Sequence, residues 1–168
     1  MINDHLTLSD AGRQLLCGIE TLRLKPYDDQ TGNEIQEWCQ GATIGYGHLI
    51  RIDEWERYRH GIDTDSAVAL FQEDLAPFAG IVRRKIRVPL QQQQFDALVM
   101  LAYNIGRTNF ADSSVVKMVN DPRAVTKFPT LEKAWKAWNK SQGRISNGLI
   151  NRRRCELDVY QRGIYKRW

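Results

Sequence analysis

The chain of 168 residues has few cysteines and no long apolar run. Its three cysteines, Cys17, Cys39 and Cys155, are an odd number and lie far apart, so no disulfide framework is predicted. No CxxC pair or close His/Cys set indicates zinc, and we expect free thiols and no metal. Because no apolar run approaches about 20 residues, no membrane span is predicted. The N-terminal segment MINDHLTLSD is too polar for a secretory signal peptide.

Charge is distributed unevenly along the chain. Residues 1–80 contain 6 Lys/Arg and 14 Asp/Glu, a net charge of −8, whereas residues 81–168 contain 18 and 6, a net charge of +12. A basic half of this kind indicates a polyanionic partner, either nucleic acid or an anionic cell envelope. Since the basic residues follow no nucleic-acid-binding motif, we do not expect nucleic acid as a partner. Hydrophobic content of 42% and charged content of 26% are typical of one soluble globular domain.

Helices are predicted to dominate the secondary structure. Ser9 is a plausible N-cap for a first helix that ends near Glu20, and Gly106 is a plausible C-terminal cap for a buried central helix. Only residues 22–50 carry turn and strand patterns, so we expect one small sheet and an α+β fold. The predicted helices after the first lie at about 64–85, 91–106, 114–120, 130–139 and 149–162.

The only clear strand pattern is Thr43-Ile44-Gly45-Tyr46-Gly47-His48. Alternation along one strand would place Ile44, Tyr46 and His48 on one face and Thr43 with the two glycines on the other. Glycine in a strand often marks the close approach of a ligand. We therefore expect Thr43 at the edge of an open groove.

Two acidic residues precede this strand, Glu20 and Asp29. Isolated acids are most often solvated surface residues. Glu20, however, lies beside a predicted apolar stripe on the first helix, and a half-buried Glu of this kind is suited to act as a general acid. The stripe comprises Leu8, Ala11, Leu15, Ile19 and Leu22.

The order of Glu20, eight residues, Asp29 and then Thr43 opening TIGYGH resembles the signature of the phage-type lysozymes, glycoside hydrolase family 24. The segments FDALVMLAYNIG (95–106) and GLINRRRCELDVY (148–160) resemble later blocks of that family. One departure is the thirteen residues between Asp29 and Thr43, where the family usually has a much shorter connection. Within or beside this insertion, Asp28, Glu34 or Glu37 could serve in place of Asp29.

The resemblance implies a lysozyme-like fold and an N-acetylmuramidase that cuts the β-1,4 bond between N-acetylmuramic acid and N-acetylglucosamine in peptidoglycan, with inversion. One domain over 1–168 is expected, with a β lobe at about 22–62, a helical lobe at about 80–168 plus the first helix, and a cleft between them. Glu20, Asp29 and Thr43 are the expected catalytic residues, and the chemistry needs no metal or cofactor.

Other site residues follow partly from the resemblance. It implies that Asn104 faces the sugar-binding cleft, that Arg152 lies near the catalytic Glu, and that His48 pairs with Asp74, for which we favour a structural role. Trp138, like Trp135, is either a core residue or part of the cleft. On the last helix an inward arginine, at Arg153 or Arg154, requires a carboxylate partner.

The biological role implied is that of an endolysin, a monomer made in the host cytoplasm and released by a holin to act at the cell wall. Its basic half would hold it on an anionic envelope surface. Two alternatives remain: a bacterial antibacterial effector with the same activity, and a peptidoglycan-binding module that has lost catalysis.

Overall fold

The computed structural model describes residues 1–168, which group into two compact units. The helical unit comprises Met1–Leu15 and Pro77–Trp168, and the β unit comprises Leu16–Ala76. Helices α1 (Asp10–Ile19) and α3 (Thr64–Lys85) each contribute to both units. No helix has the length and apolarity needed to cross a membrane. The single domain with the lobe boundaries given above stays a prediction.

The β unit is built on a three-stranded antiparallel sheet. Strand β1 (Arg23–Asp28) pairs with β2 (Ala42–Gly45), which pairs with β3 (His48–Leu49). A 3-10 helix (Ile52–Glu54) and helix α2 (Trp55–Tyr58) follow before α3 begins. The apolar core of this unit comprises Ala42, Ile44, Ile50, Trp55, Tyr58 and Leu70.

The prediction of one strand from Thr43 to His48 is wrong. Gly45 and Gly47 have φ of 67° and 98°, so the chain reverses after β2 and Ile44 pairs with His48 on β3. A sequence pattern cannot distinguish glycines that make a turn from glycines that leave a strand face bare. The consequence for Thr43 is that it is buried, at 4% exposure, and not at the edge of an open groove.

The insertion between Asp29 and β2 is a packed loop. Ile35 and Trp38 are partly buried against the core of the β unit. The Trp38 Nε1–H donates a hydrogen bond of 2.9 Å to the carbonyl of Ile50, and the Ile35 N–H donates one of 3.0 Å to the carbonyl of Pro26. The insertion is therefore anchored to the β unit at Ile35 and Trp38.

The helical unit is organised around α4 (Gln92–Ile105), in which residues 95–102 are all buried. Helix α4 ends at Gly106, whose φ of 88° is unfavourable for other residues, as the sequence predicts. Helix α8 begins after Ser146, which accepts a hydrogen bond from the Leu149 N–H, and ends at the left-handed Gly163. The remaining elements are α5 (Arg107–Asp112), α6 (Ser114–Asn120), α7 (Leu131–Lys136), β4 (Lys140–Ser141), β5 (Arg144–Ile145) and α8 (Asn147–Arg162).

Helix α3 is continuous through Pro77. One detail of the helices differs from the sequence pattern. On α1 the buried side is centred on Leu15 and Leu16, while Ala11 is exposed, so the predicted stripe is displaced by about one residue.

A buried carboxylate joins three parts of the helical unit. Asp96 on α4 is fully buried and accepts hydrogen bonds from the N–H and the hydroxyl of Ser9, from Gln92 Nε2 at 2.9 Å and from the Tyr165 hydroxyl at 2.6 Å. Burial and the adjoining Asp96 carboxylate raise the pKa of Tyr165. Because Tyr165 lies beyond α8, this hydrogen bond fixes the C-terminal segment to the core.

We expect Tyr165→Phe to lower the free energy of unfolding by about 1.5 to 3 kcal/mol, the usual range for a hydrogen bond to a charged group. Chemical denaturation measures the change. Tyr160→Phe is the matched control, since the Tyr160 hydroxyl makes no hydrogen bond within the protein, and it should change stability little. Equal losses in the two variants would show that the Asp96 contact contributes nothing specific.

Candidate active site

Glu20 directly follows helix α1. Its N–H donates a hydrogen bond of 2.9 Å to the carbonyl of Leu16, so the helical hydrogen-bond pattern extends to Glu20 itself. Leu16 is fully buried and Glu20 is partly buried. The helix end therefore fixes the backbone of Glu20 beside the apolar core.

Asp29 and Thr43 are held by one carbonyl group. The Asp29 N–H donates to the oxygen of Gly41 at 3.0 Å, and the Thr43 hydroxyl donates to the same oxygen at 2.9 Å. The sheet supports this arrangement because Tyr27 is paired with Thr43 across β1 and β2. Asp29 is exposed, whereas Thr43 is buried.

The pKa of Tyr27 responds to the charges of both Glu20 and Asp29. Burial raises the pKa of Tyr27, the Arg23 guanidinium opposes this rise, and the negative charges of Asp29 and Glu20 add to it. Arg23 also lies over the Tyr27 ring, 4.4 Å from its centroid. The charges of Glu20 and Asp29 thus both act on the Tyr27 hydroxyl. Sequence reasoning missed Tyr27, and its only available signal was its position two residues before Asp29.

The alternatives to Asp29 have other surroundings. The Asp28 carboxylate accepts hydrogen bonds from the Gln30 N–H at 2.9 Å and the Thr31 hydroxyl at 3.0 Å, so it caps the turn after β1. Glu34 is exposed, 3.8 Å from the Lys25 Nζ. Glu37 is also exposed, within the insertion. Among these four acids, only Asp29 shares a backbone anchor with Thr43.

His48 lies between two acids. Its Nδ1 is 3.0 Å from both carboxylate oxygens of Asp74, and its Nε2 is 3.5 Å from Glu54 Oε2. The hydrogen bond to Asp74 and the charges of Asp74 and Glu54 raise the pKa of His48, although burial opposes this. The structure thus brings together His48 and Asp74 and adds Glu54, which the sequence did not indicate.

In the helical unit, Arg152 and Arg153 both bind the buried carboxylate of Glu156. Arg153 Nη2 is 2.8 Å and Arg152 Nε is 3.3 Å from Glu156 Oε1, and Trp135 Nε1 donates to Glu156 Oε2 at 2.8 Å. The inward arginine is therefore Arg153, while Arg154 is exposed. Burial lowers the pKa of Arg153, although the charge of Glu156 opposes this.

Asn104 and Trp138 border cavities in the same unit. Arg153 Nη2 donates a hydrogen bond of 2.7 Å to Asn104 Oδ1, and Arg153 Nη1 donates one of 3.2 Å to the Trp138 carbonyl. Asn104 and Trp138 both line a cavity of about 520 Å³, and Trp138 also lines another of about 490 Å³. Trp135, by contrast, is fully buried and belongs to the core.

Similarity to known proteins extends over most of the chain. The phage lysozyme family model matches residues 18–156. The endolysin of Bacillus phage PZA is 33% identical over 164 residues, which are 96% of this chain but 57% of that protein, so the chain spans little more than half of that relative.

Two solved structures match over nearly their whole length. The endolysin from Escherichia coli O157:H7 phage FAHEc1 is 34% identical, with a TM-score of 0.75 over 97% of this chain and 98% of that one. The muramidase domain of SpmX from Asticaccaulis excentricus is 31% identical, with a TM-score of 0.72 over 93% and 98%.

The chain therefore belongs to the phage lysozyme family. The predicted α+β lysozyme-like fold is confirmed. The predicted class is confirmed as well: an endolysin-type lysozyme, a glycoside hydrolase with peptidoglycan as its substrate.

The raised pKa of His48 predicts a pH-dependent stability. Contacts that favour charged His48 stabilise the fold fully below the unfolded pKa of about 6.5, and this contribution is lost as pH rises through the higher folded value. At mildly acidic pH we expect Asp74→Asn to lower the free energy of unfolding by about 1 to 3 kcal/mol, between exposed and buried pairs.

Thermal unfolding at a series of pH values measures this effect. Glu54→Gln is the matched control, and it should cost less because the Glu54 carboxylate lies 3.5 Å from His48 Nε2, whereas that of Asp74 lies 3.0 Å from His48 Nδ1. Lysis should remain measurable in Asp74→Asn if the pair has a structural role. If the stability of Asp74→Asn and of the wild type changed equally as pH rises through the folded pKa of His48, the His48–Asp74 pair would not contribute to the pH dependence.

Proposed function

We propose that this chain is an inverting N-acetylmuramidase that cuts the β-1,4 bond between N-acetylmuramic acid and N-acetylglucosamine during host lysis. The observation that carries the proposal is the shared anchor of Asp29 and Thr43 on the Gly41 carbonyl. The joint effect of Asp29 and Glu20 on Tyr27 supports it, because two carboxylates in one neighbourhood are what glycoside hydrolysis requires.

Glu20 is assigned the role of general acid, which delivers a proton to the leaving glycosidic oxygen. Its backbone is fixed by the end of α1 and its side chain is partly buried. This favours Glu20 over the more exposed acids of the β unit as the proton donor.

Asp29 and Thr43 are assigned to the nucleophilic water. The Thr43 hydroxyl donates its hydrogen to Gly41, so the oxygen is left to accept a hydrogen bond from water. Asp29 is exposed and accepts the proton that the water loses. Inversion requires a separation of about 6.5 to 9.5 Å between the Glu20 and Asp29 carboxyl groups, which leaves room for that water.

Substrate binding is assigned to Asn104, Trp138 and Arg152. Trp138 presents a partly buried ring to two cavities, a suitable surface for a sugar, and Arg153 holds the amide oxygen of Asn104 beside one of them. Arg152 is assigned on the family resemblance. His48 and Asp74 are assigned a bracing role between β3 and α3, since their side chains form an ion pair that joins these two elements.

The delivery route and the envelope contact are also part of the proposal. As an endolysin-like chain, the protein would be made in the host cytoplasm and act at the cell wall as a monomer after holin-type release. The basic C-terminal half would hold it on an anionic wall or membrane. The side chain of Arg162 is 59% exposed, and Lys166, Arg167 and Trp168 are exposed beyond it.

One alternative is a bacterial antibacterial effector with the same activity, since a muramidase domain of similar structure also occurs in the bacterium Asticaccaulis excentricus. The other is a peptidoglycan-binding module without catalysis. Loss of turbidity of chloroform-treated Gram-negative cells, compared with sedimentation of the protein with purified wall, separates an enzyme from a binding module.

The mechanism predicts a graded loss of activity. Glu20→Gln should abolish lysis with the fold intact, Asp29→Ala should lower the rate by about 100-fold or more, and Thr43→Ala should cost less than Asp29→Ala. Turnover of purified peptidoglycan and circular dichroism measure these effects. Thr43→Ser retains the hydroxyl and is the control for Thr43, and Glu37→Gln is the control for loss of an acid from the insertion.

The stereochemistry tests the same assignment independently. Inversion of a β-1,4 bond gives an α-anomer as the first product, which NMR detects before mutarotation. A β-anomer as first product would overturn the water-activating role of Asp29, and lysis by Glu20→Gln would overturn the general acid.

For the basic half, we expect joint substitution of Arg162, Lys166 and Arg167 by Gln to weaken sedimentation with purified wall more at low salt than at high salt. Exposed charges are screened over about 10 Å at 0.1 M salt. Gln at Lys25, Arg51 and Arg59 removes equal charge from the acidic half and should have a smaller effect. Equal loss at low and high salt would contradict electrostatic binding.

A further inference from the structure

A side chain at Gly41, near the end of the insertion, would displace the Asp29 carboxylate. The φ of Gly41 is +100°, and a Cβ atom added there would lie 2.4 Å from Oδ1 and 3.3 Å from Cγ of Asp29, and 3.2 Å from Oδ1 of Asp28. Real Cβ contacts below 3.0 Å essentially do not occur. The Asp29 carboxylate therefore occupies the space that any other residue at position 41 would fill.

The carbonyl of Gly41 acts on the same two residues by hydrogen bonding. It accepts the Asp29 N–H at 3.0 Å and the Thr43 hydroxyl at 2.9 Å. The carbonyl oxygen of Gly41 thus fixes the backbone of Asp29. The lack of a side chain at Gly41 leaves the space in which the Asp29 carboxylate lies. No other residue of the insertion makes both kinds of contact with Asp29.

The insertion itself determines where Gly41 lies. The Ala42 N–H donates to the carbonyl of Cys39 at 3.0 Å, which closes a turn around Gly41. Just before this turn, Trp38 is packed against the core and hydrogen-bonded to the Ile50 carbonyl. The turn is therefore held on one side by Trp38 and on the other by β2.

We infer that Gly41 is a positioning residue for Asp29, and that the insertion serves to hold Gly41 against the Asp29 carboxylate. This inference rests on the proposed role of Asp29 in activating water. It gives the extra residues between Asp29 and Thr43 a function in the reaction beyond connecting two strands.

Gly41→Ala tests the inference, with Gly32→Ala as matched control. Both glycines have positive φ, so both variants strain the backbone, but a Cβ at Gly32 meets no atom within 4 Å. We expect Gly41→Ala to lower kcat on purified peptidoglycan by about 10- to 100-fold with little change in KM, since small displacements of a catalytic group have effects of this size. Gly32→Ala should retain activity.

A double variant separates positioning from general destabilisation. With Asp29→Ala in place the collision with the carboxylate is absent, so adding Gly41→Ala should lower the residual activity no further. A purely structural role predicts the same fold loss in both backgrounds. If Gly41→Ala fails to fold, Gly41→Asn is used, because Asn tolerates positive φ better than Ala and keeps the Cβ, with Gly32→Asn as control.

The outcomes distinguish this inference from the proposed function. Full activity in Asp29→Ala would overturn the role of Asp29, whatever Gly41 does. Loss of activity in Asp29→Ala together with equal activity in the Gly41 and Gly32 variants would leave the proposed function standing and overturn the inference. Equal fold losses from Gly41→Ala with and without Asp29 would also overturn it.

Discussion

The antiparallel pairing of β1 with β2 is the constraint on which the candidate site depends. It places Tyr27 opposite Thr43 and Asp28 opposite Ala42, so Asp29 follows one strand where Gly41 precedes the other. The length of chain between Asp29 and Thr43 then matters little, because the ladder sets the distance and the entropy cost of closing a loop rises slowly with its length. This explains how a chain with thirteen residues in that connection still anchors Asp29 and Thr43 on the same carbonyl.

The helical unit depends on two buried carboxylates, each surrounded by donors. Asp96 accepts from Ser9, Gln92 and Tyr165, and Glu156 accepts from Arg152, Arg153 and Trp135. A buried carboxylate without such partners would cost several kcal/mol. The hydrogen bonds of each carboxylate also join segments that are separated in the sequence. A different packing of the helices that removed one of the donors would therefore be less stable. These contacts define which packing of the helices is stable.

Much of the helical structure could be predicted from the sequence, because apolar periodicity and capping residues are local signals. Helix α3 begins and ends as predicted, and Gly106 ends α4. The hairpin of β4 and β5 has exposed side chains and no apolar alternation, so the sequence contained no signal for it.

The parts of the site that sequence reasoning missed depend on pairing across the chain. The turn at Gly45 and Gly47 and the contact of Gly41 with Asp29 are matters of backbone conformation, which residue type alone does not determine. Glu156 was missed for a related reason. An acid three residues after Arg153 on a charged helix is typical of a solvated surface, and only its burial shows that it neutralises the inward arginine.

The three proposed catalytic residues differ in burial and in hydrogen bonding, and these differences favour distinct roles. Thr43 is buried and its hydrogen is donated to a backbone carbonyl, so its oxygen can only accept from a water. Asp29 has a fixed backbone but an exposed side chain, which lets water reach it. Glu20 is partly buried at a helix end. In the proposed reaction, protons pass from water to Asp29 and from Glu20 to the leaving oxygen.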